Sequence, residues 1–242
     1  MSRNYGEQTE RAMLFREEDE DLELLPFKDR AEAGRLLAGK LSGYLGRKDV
    51  IVLAIPRGGV PVAAAVAGTI HLPLDVFLVS KIGVPWQPEL AMGAVGEGSV
   101  EVLDLSLVNV LGFSEDDIHE SVATARREVK TRARLYRGCQ PEPDLEGQTV
   151  ILVDDGIATG CSMLAAIAAI RRRRAARIVV AVPVAPAFGC NAIRMEADEV
   201  ISVAEPEAFS AVSQWYQDFC EISDEDVCRL LERCCDPVPR AA

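Results

Sequence analysis

The sequence predicts an α/β fold with a mostly parallel central sheet and helices on both of its faces. Five short runs rich in β-branched residues alternate with segments of helical pattern: VIVLAI at 50–55, LDVFLVS at 74–80, TVILV at 149–153, RIVVAVPVA at 177–185 and EVISVA at 199–204. Uninterrupted apolar strands of this kind are those that helices cover from both sides. Hydrophobic residues fill 49% of the 242 positions but aromatics only 5%, which suits an interior of small, branched side chains rather than an all-β core. A chain of this length can bury a substantial core, and no internal linker is long enough to divide it. One domain is therefore expected over residues 26–242.

Residues 1–25 contain EEDEDLE and little that could build a core, so they are expected to form a mobile acidic arm. In DRAEAGRLLAGKLSGYL (29–45), Ala33, Leu36, Leu37, Leu41 and Leu45 fall near one helical face, and Asp29 stands where it can cap the N-terminus. VIVLAI is the first strand, VPVAAAVAGTI (60–70) a short helix and LDVFLVS the second strand, a βαβ beginning. AMGAVGEGSVEVLDL (91–105) sets Gly96 and Gly98 between short apolar segments, the pattern of a hairpin. A long charged helix follows, opened by Ser114 with acidic residues in its first turn. Pro141 and Pro143 precede the third strand. Helix 162–174, strand 177–185, a helix around 190–196 and strand 199–204 complete the alternation. The C-terminal segment from Ala208 is expected to return over the sheet and end in a helix from about Ser223.

Composition narrows the function classes. No apolar run approaches the roughly 20 residues that a bilayer span needs. The start, MSRNYGEQTERAMLF, lacks the apolar core of a signal peptide, so a cytoplasmic protein with no membrane association is expected. The seven cysteines are scattered, and no pair shows C-x-x-C spacing, which argues against a disulfide framework or a zinc site. The formal net charge of −12 makes nucleic acid an unsuitable partner, because affinity for a phosphate backbone comes from Lys and Arg. A small polyanion would need locally concentrated donors.

In open α/β sheets, ligands bind beyond the carboxyl ends of the strands. Three loops there are unusual: Pro56-Arg57-Gly58-Gly59, Ser80-Lys81-Ile82-Gly83, and Asp154-Asp155-Gly156-Ile157-Ala158-Thr159-Gly160-Cys161-Ser162. In the third, glycines let backbone N–H groups turn inward, and Thr159 and Ser162 add hydroxyls at the start of a helix, a cradle for phosphate. The two carboxylates cannot bind phosphate and would instead accept hydrogen bonds from a sugar diol. A P-loop would need Lys where Cys161 stands. A dinucleotide fingerprint would need G-x-G-x-x-G where PRGGVP stands. An aspartyl-phosphate hydrolase would need Asp where Ile157 stands.

VILVDDGIATGCS (150–162) closely resembles the phosphoribosyl-pyrophosphate (PRPP) motif of type I phosphoribosyltransferases, and PRGG resembles that family's pyrophosphate loop, in the family's chain order. The resemblance covers residues 27–204. Runs such as KIGVPWQPELAMGAVGEG and the WYQDF tail are similar to bacterial members whose acceptor is not established. It implies a type I phosphoribosyltransferase-like fold carrying a small hood, built from residues 85–112 and the C-terminal region. By the family's roles, Asp154 and Asp155 would hold the ribose 2- and 3-hydroxyls, and Gly156, Ile157, Ala158, Thr159, Gly160, Cys161 and Ser162 the 5-phosphate. Arg57, Gly58 and Gly59 would take the pyrophosphate, with one peptide bond of that loop strained or cis, and Lys81 would reach toward it. Asp154, Asp155, Arg57 and Lys81 are the implied catalytic set. The implied cofactor is Mg²⁺, held mainly by PRPP rather than by direct side-chain ligation, with Asp154 or Asp155 reaching it through water.

The implied reaction is transfer of a 5-phosphoribosyl group from PRPP to a nitrogenous acceptor such as a nucleobase, with homodimer formation as a family expectation. A regulatory protein that senses PRPP or a nucleotide without turnover is the alternative on the same fold. Other features have two readings each. Arg171–Arg174 lies where cations complement a helix C-terminus, with an RNA site as the other reading. Arg126, Arg127, Lys130, Arg132, Arg134 and Arg137 could form a solvated face or a cover over a polyanion. Trp86, Trp215 and Tyr216 could stack on a planar base or pack internally, and Glu89 is equally open. His71 and His119 have no partners at catalytic or metal-binding spacing.

Overall fold

In the computed structural model, residues 25–84, 87–103, 105–187 and 190–233 are described. The expected acidic arm, save Leu25, lies outside them, as do Trp86 and the Cys234-Cys235 pair.

The main sheet has five parallel strands: β1 (Val50–Ala54), β2 (Leu74–Val76), β6 (Thr149–Val153), β7 (Arg177–Val184) and β8 (Glu199–Ala204), in the order β2-β1-β6-β7-β8. Every residue of β1 and β6 is buried, and successive side chains enter two different cores. Val50, Val52 and Ala54 pack toward α1 (Arg30–Lys40) and α2 (Gly59–Ile70), whereas Ile51 and Leu53 pack toward α5 (Cys161–Arg172). That two-sided burial is why these strands read as continuous apolar runs. A short helix α6 (Asn191–Glu196) links β7 to β8.

Asp29 caps α1, its Oδ1 accepting from the Glu32 N–H at 2.7 Å. The helix stops at Lys40 and a single 3₁₀ turn, Ser42–Tyr44, follows, so Leu45 leaves the predicted face and is 58% exposed.

The run 74–80 is not one strand of the main sheet. Pairing with β1 ends at Val76, the chain turns at Phe77 and Leu78, and β3 (Val79–Val84) enters a second, antiparallel sheet, β3-β4-β5, with β4 at Gln87–Gly96 and β5 at Val100–Leu103. Apolar continuity hides the corner, because both halves are buried in different sheets. The hairpin expected around Gly96 and Gly98 is the β4–β5 connection, where Gly98 takes φ 73°. A short helix α3 (Leu105–Leu111), which the sequence pattern did not indicate, leads to α4 (Glu115–Arg137). Ser114 and Asp117 form a reciprocal capping box at its start.

Arg137, last in α4, separates from its five exposed basic neighbours. It is buried, donates to Asp75 Oδ1 at 2.8 Å through Nε, pairs with both oxygens of buried Glu97 and donates to the Val76 carbonyl. One guanidinium thus ties α4, the end of β2 and the β4–β5 turn together. Burial pushes the Glu97 carboxyl up to about 7 against the attraction of Arg137, as follows when two carboxylates share one cation.

The Arg171–Arg174 run has protein partners, with Arg171 on Asp198 at 2.8 Å, Arg172 on the Glu101 carbonyl at 2.7 Å and Arg174 on Glu146 at 3.2 Å. The helix-end reading fits these contacts. The C-terminal segment returns to pair with the chain's entry: Phe27 N–H donates to the Trp215 carbonyl at 2.9 Å, and Gln217 N–H to the Phe27 carbonyl at 2.7 Å. It ends in α7 (Asp224–Arg233), capped by Ser223. No helix of the described residues is long and apolar enough to cross a membrane.

Candidate active site

The carboxyl ends of β1 and β6, adjacent in the sheet, bring Pro56-Arg57-Gly58-Gly59 against Asp154-Asp155. A Cβ on Gly58 would stand 2.1 Å from Asp155 Oδ2, and one on Gly59 would stand 2.7 Å from the Val153 carbonyl and 2.9 Å from the Asp154 Cα. A side chain at Gly59 would meet fixed backbone and one at Gly58 would have to displace the Asp155 carboxylate, so the glycines permit this close approach. The Pro56–Arg57 peptide is cis. Gly59 N–H is engaged by the Ile55 carbonyl at 3.1 Å, and the missing side chain at Gly59 allows the close approach of the loops. Arg57 points outward and pairs with Glu221 at 2.6 Å, both side chains being exposed.

The two acids are fixed differently. Asp154 Oδ1 accepts the N–H of Asp155 at 2.8 Å. Burial, then the neighbouring Asp155 charge, pushes the Asp154 carboxyl well above the usual carboxylate range. Asp155 is also pushed up by burial, opposed by the hydrogen bond and charge of Arg30. Arg30 Nε donates to Asp155 Oδ2 at 2.8 Å, and the Tyr216 hydroxyl donates to the Asp155 carbonyl at 2.5 Å. A cleft of about 500 Å³ opens here, lined by Arg30, Arg57, Gly58, Asp155, Phe219, Glu221 and Ile222.

Beyond the acids, the chain turns through Ala158 and Thr159, both exposed, into Gly160, which precedes α5 at φ 74°. The first N–H groups of α5 have no intrahelical acceptor, and no described residue accepts from Ala158, Thr159 or Gly160 N–H. Ile157 departs from the expected cradle: its side chain is in the core and its N–H donates to the Val184 carbonyl at 3.0 Å. A Cβ on Gly156 would meet Val212 at 2.6 Å, so the C-terminal segment packs directly on the loop.

The geometry is therefore a cation and a glycine turn on one side, two carboxylates in the middle and a helix N-terminus with hydroxyls on the other. Residues 23–218 match the family model "Phosphoribosyl transferase domain". The chain belongs to the phosphoribosyl transferase family. Two proteins of Mycobacterium tuberculosis, from strains CDC 1551 and H37Rv and each named "Putative phosphoribosyl transferase", are 42% identical over 207 residues, which are 86% of this chain and 46% of theirs. The chain thus spans about half the length of these relatives. The crystal structure of TT1426 from Thermus thermophilus is 41% identical, with a TM-score of 0.75 over 86% of this chain and 98% of that one.

Within this phosphoribosyl transferase fold, Lys81 stands apart from the first cleft. It lies in β3, paired with Ala94, rather than in a strand-end loop, because the main-sheet strand ended five residues earlier. Its neighbour space is a cavity of about 670 Å³ that also takes in Pro56 and Ser162, with Glu128 and Arg132 on the α4 side. Ser80 closes part of it by donating to Glu128 at 2.7 Å.

Of the aromatics, Tyr216 is buried against Phe27 and Phe219, and Trp215 stacks on Phe209 with ring centroids 6.3 Å apart, so both have internal partners. Trp86 and the side chain of Glu89 are outside the described residues.

The residue that sequence reasoning missed is Arg30. It looks like one more charge on an amphipathic helix, and its partner is 125 positions away. One signal was available: it directly follows the capping Asp29, at the end of the helix where a cation is disfavoured.

Proposed function

We propose that the chain transfers a 5-phosphoribosyl group from PRPP to a nitrogenous acceptor, releasing pyrophosphate. The observation that supports this reading is the contact of Gly58 with Asp155, which brings the Arg57 loop against the acid pair, with the open N-terminus of α5 beyond. The 5-phosphate would take the N–H groups from Ala158 to Ser162 and the hydroxyls of Thr159 and Ser162. Asp154 and Asp155 would accept from the ribose hydroxyls. Arg57, exchanging Glu221 for a stronger anion, would hold the pyrophosphate, and Lys81 would approach from the neighbouring cavity.

In this scheme the acceptor nitrogen forms a bond to ribose C1 as the C1–O bond breaks. The electron pair leaves with pyrophosphate, and the acceptor's N–H proton passes to solvent. Arg57 and Lys81 stabilise the charge gathering on the leaving group, and the acid pair faces the oxocarbenium-like sugar. Among the described residues no group of three or more His, Cys, Asp or Glu side chains could hold a metal ion. The acid pair alone suits an ion that arrives on PRPP and meets the protein through water. Mg²⁺, when bound, would neutralise leaving-group charge.

The test is a pyrophosphate-release assay with PRPP, Mg²⁺ and a panel of bases. Release that depends on one base supports the transferase. PRPP binding with no release under any base replaces it with the sensor.

Gly58→Ala supplies a separate check. The added methyl must displace the Asp155 carboxylate, and PRPP affinity measured by calorimetry is expected to fall about tenfold or more, the scale of one lost charge-assisted hydrogen bond. Gly39→Ala, in α1 with open space around its Cα, is expected to leave affinity unchanged and to raise stability by about 0.5–1 kcal/mol. Equal affinity in the native chain and Gly58→Ala would remove the close loop contact from the account.

A further inference from the structure

We infer that Arg30 is a positioning residue for Asp155, holding its carboxylate in the orientation that receives the ribose diol. The inference rests on the PRPP reading above. Arg30 is the first residue of α1, where the positive end of the helix dipole makes a guanidinium unfavourable. The helix itself therefore gives no reason for the charge, and the reason lies across the chain. Arg30 is only 8% exposed, and two of its nitrogens and one face of its guanidinium are engaged. Nε donates to Asp155 Oδ2 at 2.8 Å, Nη1 donates to the Cys220 carbonyl at 2.8 Å, and the ring of Phe219 lies under the group at 3.7 Å.

Asp155 is thereby held at three points. Its side chain is held by Arg30, its carbonyl by the Tyr216 hydroxyl and its N–H by Asp154. The missing side chain at Gly58 leaves the space into which Arg30 steers the carboxylate. Arg30 uses one Asp155 oxygen and leaves the other for a hydroxyl. A planar fork that grips two acceptors at a fixed angle does this, and an ammonium on a flexible stem does it less well. Because the second grip is on the segment 216–222, the same guanidinium sets the distance between the acid pair and the wall of the cleft that carries Phe219 and Glu221.

The test is a double-mutant cycle on the full chain: Arg30→Gln and Arg30→Lys, each alone and with Asp155→Asn. The readouts are kcat and KM for PRPP from pyrophosphate release, and PRPP affinity from calorimetry. Arg30→Gln is expected to raise KM and Kd for PRPP about tenfold, with kcat changed less, and Arg30→Lys to recover part of that loss. In the Asp155→Asn background, Arg30→Gln is expected to cost no more than about twofold, because the group it positions is gone. The same factor in both backgrounds would assign Arg30 a merely structural part and overturn the inference. If Arg30→Gln lacks a cooperative unfolding transition, the Arg30→Lys cycle decides by the same criterion. A native chain that binds PRPP equally with and without Arg30→Gln overturns the inference alone. A native chain that binds no PRPP overturns the parent reading and the place of Arg30 in it.

Discussion

Asp154→Asn/Asp155→Asn is expected to lose roughly 10²–10⁴-fold in PRPP turnover, since each carboxylate that accepts a substrate hydroxyl supplies about 1.5–3 kcal/mol. The stability effect divides between the two positions: Asp154→Asn is expected to raise thermal stability, whereas Asp155→Asn leaves Arg30 buried without its partner. Both carboxyls are pushed above their ordinary value of 3.8, Asp154 by burial and by the charge beside it, Asp155 by burial in spite of Arg30. A carboxyl whose folded pKa exceeds its unfolded one contributes most below the unfolded value and loses that contribution as pH rises through the folded value. Ionising the pair at neutral pH therefore costs stability that an amide does not. Asn at position 154 keeps an oxygen for the Asp155 N–H. Asp154→Asn alone is expected to raise the Tm by about 2–4 °C near neutral pH, the shift that about 1 kcal/mol gives in a chain of this size. The gain should fade toward pH 4. Calorimetric scans across that range check it, and a Tm that falls at neutral pH would mean that the pair is not strained. Loss of activity with gain of stability would mark the acids as kept for function.

Arg137→Met is expected to be the most destabilising single change in the described chain. It leaves Asp75 and Glu97 buried around a vacated cation site, and breaking such a set costs about 3–5 kcal/mol. In a chain of this size that lowers the Tm by roughly 6–20 °C. Glu97 is pushed up to about 7 from an ordinary 4.5 by burial, so its contribution is fullest below 4.5 and is lost as pH rises through about 7. Without the guanidinium Glu97 holds its proton more firmly, so the deficit relative to the native chain should shrink as pH falls from about 8 to about 5. Thermal unfolding of the two proteins at each pH checks this. A deficit that is small and independent of pH would show that the buried cation does not hold the second sheet to the first.

What the sequence reveals follows from which interactions are local. β1, β6 and β7 are legible because burial on both faces leaves their interiors unbroken by polar residues, and β8, a partly buried edge strand, is legible by its β-branched residues. Asp29 and Ser114 are legible as caps because each bonds within three residues. The loops PRGG and DDGIATGCS are legible because glycines and hydroxyls beyond a strand have few other uses. The turn at Phe77 is hidden because an apolar run does not record a change of sheet.

Long-range partners are hidden for a different reason. Arg57 meets Glu221 164 positions away, and Arg137 meets Asp75 62 positions away. Periodicity does not encode such pairs. Even in the legible loops the sequence names residue types without dividing their work: Gly59 and Ile157 stand in the expected places, yet their N–H groups are already bonded to Ile55 and Val184.

The most direct measurement is a crystal structure of the chain soaked with ribose 5-phosphate. The account predicts the phosphate on the N–H groups between Ala158 and Ser162, at the start of α5, with the 2- and 3-hydroxyls donating to Asp154 and Asp155 and Arg30 still on Asp155. Phosphate bound elsewhere, or a sugar whose hydroxyls turn away from both carboxylates, would contradict it.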